Sequence, residues 1–267
     1  MLKSLANLFG VKPVPAGPAV PEGTRYYVIG DIHGRNDLFE TLIEAIEAEE
    51  ASAGELDVRI VLLGDLVDRG PESAQVVANA RAWQQRRQVN ILTGNHEQMF
   101  LESFDNAQVL RQFIRHGGRE TILSYGVPED RYNEATIEQL QELLHRHVPR
   151  EDRDFIASFD DLIVAGDYLF VHAGIKPEVE LEEQSSEDLR WIREQFLDYE
   201  AQHPFHVVHG HTISEQVEAR SNRTGIDTGA YRSGRLTALV LEGTSRRLLQ
   251  ALEVDGIVTV EKKDRVA

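Results

Sequence analysis

From Arg25 onward, apolar and polar positions fall into blocks of two kinds. Tyr26 to Gly30 is a short apolar run, Asp37 to Glu49 repeats apolar residues at helical spacing, and Val58 to Gly64 is apolar again, which predicts a βαβ unit. A helix over Ser73 to Gln85 and a strand over Val89 to Thr93 repeat the pattern. Three strands separated by helices imply an α/β fold with a buried sheet and right-handed crossovers, in which ligands collect beyond the carboxyl ends of the strands. Residues 100 to about 157 carry no strand-like run, and Val109 to Leu123 and Ile137 to His145 show helical spacing, so a helical insertion placed to cap the site is expected. Strands resume at Leu162 to Ala165, Tyr168 to Val171, Val207 to Val208, Gly225 to Asp227, Leu236 to Leu241 and Leu248 to Val254, with a helix near Glu187 to Phe196. The last third of the chain therefore reads as a second, β-rich layer.

Residues 13 to 21 contain four prolines and predict an extended linker. The expected organisation is a flexible segment over 1–23 and one catalytic domain over 24–267. Ahead of the linker, Leu2, Leu5, Leu8 and Phe9 recur at near-helical spacing. A frayed terminus is the expectation there, with docking to a partner or membrane as the alternative. No apolar run approaches the roughly 20 residues of a spanning helix, and Met1 to Val20 lacks a secretory h-region, so a cytoplasmic protein is expected. At 267 residues and 41% hydrophobic content, the chain is long enough to bury a full core.

The absence of cysteine removes thiolate ligands and a phosphocysteine nucleophile, so any metal must sit on oxygen and nitrogen. A formal charge of −17 disfavours bulk nucleic-acid binding, and Arg81, Arg86 and Arg87 read as a solvated helix face rather than a basic pocket.

Each of the first three strands ends in a polar cluster: Gly30-Asp31-Ile32-His33-Gly34, then Gly64-Asp65-Leu66-Val67-Asp68-Arg69-Gly70, then Gly94-Asn95-His96-Glu97. Two later strands end in Val171-His172-Ala173-Gly174 and His209-Gly210-His211-Thr212. Carboxylates and amides at buried strand ends are costly unless something satisfies them together, and a metal pair does so. Oxygen and imidazole donors suit Mn, Fe, Zn or Ni rather than a soft metal, and do not choose among them.

These five clusters, in this order, resemble the signatures of the phosphoprotein phosphatase family within the calcineurin-like metallophosphoesterases, and the resemblance spans Tyr27 to about Leu241. It implies a sandwich of two mixed β-sheets flanked by helices, with two divalent cations at the strand ends. Carried over motif by motif, Asp31 and His33 would bind the first metal, Asp65 would bridge both, and Asn95, His172 and His211 would complete the second. His96 stands beside Asn95 and is the expected general acid, with Asp68 as the orienting partner that the resemblance supplies. Arg69 fits a guanidinium clamp on phosphate oxygens, and Leu189-Arg190-Trp191-Ile192-Arg193 resembles a segment of the bacterial and phage members that places Arg193 there too, with Arg190 on the surface. His209 would support or line the site, and Tyr231, in an Ile226-Asp227-Thr228-Gly229-Ala230 context that also resembles that branch, is open between substrate contact and packing. His116, His145, His147, His203 and His206 match no motif and are expected on the surface or in loops.

Two cations about 3.5 to 4 Å apart lower the pKa of a bridging water and hold the phosphoryl group for in-line attack, so no covalent phosphoenzyme is needed. The leading expectation is a phosphomonoesterase acting on phosphoserine and phosphothreonine in proteins, with phosphotyrosine and small phosphoesters as further substrates. The alternative is a symmetrical dinucleoside tetraphosphate hydrolase; Glu97, where such hydrolases carry aspartate, leans toward the phosphatase. A nuclease-type phosphodiesterase ranks third, and an inactive scaffold would require a broken motif that this sequence does not contain.

Overall fold

The computed structural model describes residues 17–266 apart from 53 and 55. Leu2, Leu5, Leu8, Phe9 and most of the proline-rich linker lie outside the described residues. Strands β1 (Thr24–Ile29), β2 (Asp57–Leu62) and β3 (Val89–Ile91) alternate with helices α1 (Asn36–Ala51) and α2 (Ser73–Gln84). A helical stretch follows: α3 (Asn95–Ser103), α4 (Ala107–Phe113), α5 (Arg119–Ser124), α6 (Glu129–Glu134), α7 (Ile137–His147) and α8 (Arg150–Ile156). Next come β4 (Leu162–Ala165), β5 (Tyr168–Val171), α9 (Ser186–Trp191), α10 (Glu194–Leu197), β6 (His206–His209), β7 (Glu218–Ala219) and β8 (Arg223–Gly225). The chain closes with α11 (Ala230–Ser233), β9 (Arg235–Glu242), β10 (Ser245–Val254) and β11 (Ile257–Lys263).

Two sheets form, a six-stranded one in the order β11-β10-β9-β1-β2-β3 and a five-stranded one in the order β4-β5-β6-β8-β7. This corrects the expectation that the last third of the chain makes the second layer. β9 returns to pair antiparallel with β1, Val28 opposite Leu239, and carries β10 and β11 into the first sheet. Local periodicity marks a strand but does not say which neighbour it pairs with.

Alternation sorts the side chains into layers. Val28, Val61, Leu63, Leu239 and Leu241 from the first sheet meet Tyr168, Phe170 and Val208 from the second. On the far face, Tyr27, Ile29, Ile60 and Leu62 pack under Leu38, Phe39 and Leu42 of α1 and Val76, Val77 and Trp83 of α2. Trp83 is fully buried edge-on to Phe39, with ring centroids 6.0 Å apart, so truncating it to alanine would cost about 3–5 kcal/mol. Leu169, Val171 and Val207 face Leu189, Ile192 and Phe196 on the outer side of the second sheet. Strands covered on both faces read as continuous apolar runs, which is why β1, β2 and β5 stood out in the sequence.

The linker's described end is pinned rather than loose. Val20 is buried and its N–H donates to the Gly243 carbonyl, while the Ala19 N–H reaches the Asp167 carboxylate. Of the arginines read as a solvated face, Arg81 pairs with Asp152 and Arg87 with Glu47. The predicted helix at Glu187 to Phe196 is interrupted at Ile192 and Arg193, which turns Arg193 out between α9 and α10.

Candidate metal centre

β1, β2 and β3 run parallel, as do β5, β6 and β8, so the loops after all six emerge along one edge of the sandwich. The backbone there is held where L-residues rarely go: His33, Asp65, Asp68, Arg69 and His211 all have positive φ, between 46° and 75°. Each such residue costs on the order of 1 kcal/mol or more, and only two other non-glycine residues, Glu178 and Asp255, share the conformation among those described. Strain gathered at five predicted site residues marks a place where side-chain aim takes precedence over backbone comfort.

Asp65 is the hub. Its carboxylate lies 3.5 Å from His33 Nε2, 3.5 Å from His172 Nε2 and 3.9 Å from His96 Nε2, all of them buried. Asn95 Oδ1 lies 3.1 Å from His172 Nε2 and 2.8 Å from His211 Nδ1. On the far side of the rings, His33 Nδ1 meets the Val67 carbonyl and His172 Nδ1 the Leu63 carbonyl, each at 2.8 Å. A ring N–H engaged by a carbonyl leaves the opposite nitrogen as a lone pair, so two imidazole lone pairs face an Asp65 carboxylate. That of His33 also receives an Arg69 N–H, but the His172 lone pair and the Asp65 carboxylate are acceptors turned toward one another, which repel unless a cation lies between them.

Burial keeps the imidazoles neutral: His33 and His172 are pushed below the ordinary histidine range, and His211, further disfavoured by His172, falls to about 2. The His211 Nε2 is buried without a hydrogen-bond partner. Burial alone would raise the Asp65 carboxyl, but positive charge on the surrounding imidazoles when they are protonated, His172 first, holds it below the usual range. Two trios of donors, His33-Asp65-His96 and Asp65-His172-His211, have ligand atoms within 4.8 Å of one another. This hard oxygen and nitrogen set fits divalent cations.

Asp31 is placed differently from the other predicted ligands. Its carboxylate accepts the His211 backbone N–H at 3.1 Å and faces Asp227, a buried carboxyl pushed up to about 6 by burial and by Asp65. Asp31 itself is driven well above the usual range by burial, then by Asp227. Asp227 had no role in the sequence reading, although it ends a strand run in the same way as the other clusters.

The catalytic candidates converge on the same edge. His96 Nδ1 meets Asp68 Oδ2 at 2.6 Å, and the other Asp68 oxygen accepts the Thr121 hydroxyl at 2.6 Å. Burial opposes protonation of His96, but Asp65 and Asp68 outweigh it and raise its pKa. Arg69 donates to His33 Nε2 at 2.7 Å and to His96 Nε2 at 2.9 Å, and its guanidinium carbon lies 4.9 Å from the centre of the Tyr231 ring. Tyr231 also meets His33 edge-on, so it packs on two site residues. Arg193 is exposed and donates to the Thr212 hydroxyl, next to His211. The insertion reaches the site through residues 114–118: the Gly117 carbonyl accepts the Arg69 N–H, and exposed His116 has its ring centre 6.5 Å from that of His96.

Several placements differ from expectation. His206 is buried in β6, 2.8 Å from the Thr224 hydroxyl, because alternation along the strand turns it inward. Arg190 is half-buried on Asp161 rather than free on the surface. His209 does not line the site: its ring packs edge-on against Phe196 and approaches Arg223, behind the His211 loop. Glu97 faces no substrate space. Its carboxylate accepts the backbone N–H groups of Gly94, Asp65 and Leu66, clamping the Asp65 loop to the start of α3.

A family profile for calcineurin-like phosphoesterases matches residues 24–259. Among characterised proteins, the chain is 25% identical over 236 residues to an asymmetrical bis(5'-nucleosyl)-tetraphosphatase of Anoxybacillus flavithermus, covering 80% of this chain and 89% of that protein. It is 29% identical over 163 residues to a zinc-dependent endopolyphosphatase of Saccharomyces cerevisiae, covering 57% of this chain and 47% of that protein. A symmetrical bis(5'-nucleosyl)-tetraphosphatase of Delftia acidovorans is 34% identical over 152 residues, covering 57% and 45%. The chain thus spans less than half the length of these last two. The cold-active protein-tyrosine phosphatase of a Shewanella species shares the fold, with a TM-score of 0.52 at 21% identity over 92% of this chain and 83% of that one.

Proposed function

The chain belongs to the calcineurin-like phosphoesterase family, and we propose that it hydrolyses phosphoric monoesters at a centre of two divalent cations, with phosphoserine and phosphothreonine in proteins as its substrates. In this reading Asp31, His33 and Asp65 hold one cation, and Asp65, Asn95, His172 and His211 the other. Manganese is the ion we expect. When bound, the cations acidify a water molecule and offset the charge of the phosphoryl oxygens.

The chain's own residues supply the rest. Arg69, which lies across His33 and His96, turns its N–H groups onto phosphate oxygens, and Arg193 approaches them from the mouth of the site. Release of His96 Nε2 from Arg69 lets that atom carry the proton for the leaving oxygen, while Asp68 fixes the ring through Nδ1.

The buried His96–Asp68 pair is the observation that carries the monoester reading. An alkoxide such as that of serine needs a proton to depart, whereas a nucleoside phosphate leaves readily without one. A second reading, hydrolysis of dinucleoside polyphosphates, is supported by the tetraphosphatase relative that aligns over most of both chains. The aromatic faces of Trp191, 36% exposed, and half-buried Tyr231 at the rim suit nucleobases as well. Glu97 does not decide between them, since its carboxylate is taken up by backbone N–H groups. No helix among the described residues is long and apolar enough to cross a membrane. Manganese-loaded protein given a phosphoserine peptide and diadenosine tetraphosphate at equal concentration separates the two readings. Phosphate release from the peptide with little nucleotide product supports the first; efficient nucleotide release with a poor peptide rate replaces it with the second.

A further inference from the structure

We propose that Asp227 is a further carboxylate of the first cation's site, acting beside Asp31 and binding the ion directly or through a water. The segments that carry the two residues run in direct contact: a Cβ on Gly30 would stand 2.8 Å from the Ile226 carbonyl oxygen. Asp227 is 1% exposed and Asp31 2%. One Asp227 oxygen, Oδ1, accepts the Gly229 N–H at 2.9 Å; the other, Oδ2, is buried with no hydrogen-bond donor. The Asp31 carboxyl is within hydrogen-bonding reach, and its own donor is the His211 backbone N–H. Among the described residues, no lysine or arginine forms an ion pair with either carboxylate; the Arg69 guanidinium acts on both only at longer range.

Two buried carboxylates cannot face each other as anions without help. Either they share a proton or a cation sits against both. The proton alternative would commit Asp31 to a hydrogen bond with Asp227, which competes with its role as a ligand. The cation alternative satisfies Asp31, Asp227 and the unpartnered Oδ2 at once. It also adds a third carboxylate to Asp31 and Asp65 in a centre that must balance two divalent charges. The assignment rests on the two-cation reading of the site and adds a ligand to it.

Manganese titration of metal-free wild type, Asp227→Asn and Asp227→Ser by calorimetry tests it, with bound manganese counted after desalting and thermal midpoints recorded with and without the ion. Asparagine removes the repulsion, so the metal-free Asp227→Asn protein is expected to fold at least as stably as metal-free wild type. Should it fail to fold, Asp227→Ser carries the same titration. The expected result is two ions in wild type and, in the variants, one ion held as before and the other weakened about tenfold or more. Variants that take up both ions with wild-type affinity overturn the proposal and leave a proton-sharing pair. A wild type that takes up no second ion overturns the two-cation reading itself.

Discussion

His96 Nδ1 lies 2.6 Å from Asp68 Oδ2 with both side chains buried, so the ring is fixed with its other nitrogen turned toward Asp65 and the open edge of the site. A group held in this way serves the leaving oxygen in proportion to that oxygen's need of a proton. His96→Asn is therefore expected to lower turnover of a phosphoserine peptide by about 100-fold or more, and turnover of p-nitrophenyl phosphate far less. Steady-state rates on the two substrates check this; equal losses would remove His96 from the acid role.

Glu97 acts on the backbone. Replacing its carboxylate by the amide in Glu97→Gln turns a second acceptor into a donor facing the N–H groups of Asp65, Leu66 and Gly94. The expected cost is about 1–3 kcal/mol of stability, read from urea unfolding. Because no substrate reaches this side chain, Glu97→Asp should change the rates on peptide and dinucleotide by the same factor. A changed ratio would show that the residue does select substrate.

Gly117 has φ of 108°, and a Cβ there would lie 2.7 Å from Arg69 Cγ and 2.9 Å from the Arg69 backbone nitrogen. Gly117→Ala is expected to destabilise the fold by about 1–3 kcal/mol and to displace the Arg69 guanidinium. Lower kcat at unchanged metal content is the signature. Loss of metal in parallel would mean that the turn supports the ligands instead of the clamp.

His206 couples the second sheet to pH. Burial, then Arg246, pushes its pKa down to about 4, whereas in an unfolded chain it titrates near the ordinary value of about 6.5. Protonation thus favours the unfolded state: the contribution to stability is complete above about pH 6.5 and is lost as pH falls toward 4. Urea midpoints of metal-free wild type and His206→Gln, measured from pH 7.5 to 5, should converge on acidification. Parallel curves would show that His206 titrates alike in both states.

The sheet core and the polar clusters at its edge were legible for one reason. Strands buried on both faces write continuous apolar runs, and each run that ends in Asp, Asn or His announces a polar group with no water to satisfy it. Asp31, His33, Asp65, Asn95, His172 and His211 all carried that signal, and the structure brings them to one edge. What escaped was relational. β9 looks the same whichever sheet it joins, and its partner β1 lies some 200 residues away in the chain. Thr121 lies in a helical insertion and becomes part of the site only because α5 packs beside Asp68. Asp227 did end a strand run, but its meaning depends on Asp31, on a neighbouring segment nearly 200 residues away in the chain. His206 was placed on the surface or in a loop because it matches no motif and the apolar run beside it, Val207 to Val208, stops short of it.

Phosphate release measured against bound manganese, in wild type and in Asp65→Asn, tests the proposed centre most directly. Asp65 is the one side chain shared by both donor trios. Wild type is expected to gain activity as two equivalents of ion are taken up and to lose it on chelation, and Asp65→Asn to lose ion and rate together. A wild type that hydrolyses phosphoesters undiminished after its metal has been removed, or an Asp65→Asn variant that holds two ions as tightly as wild type, would contradict the account.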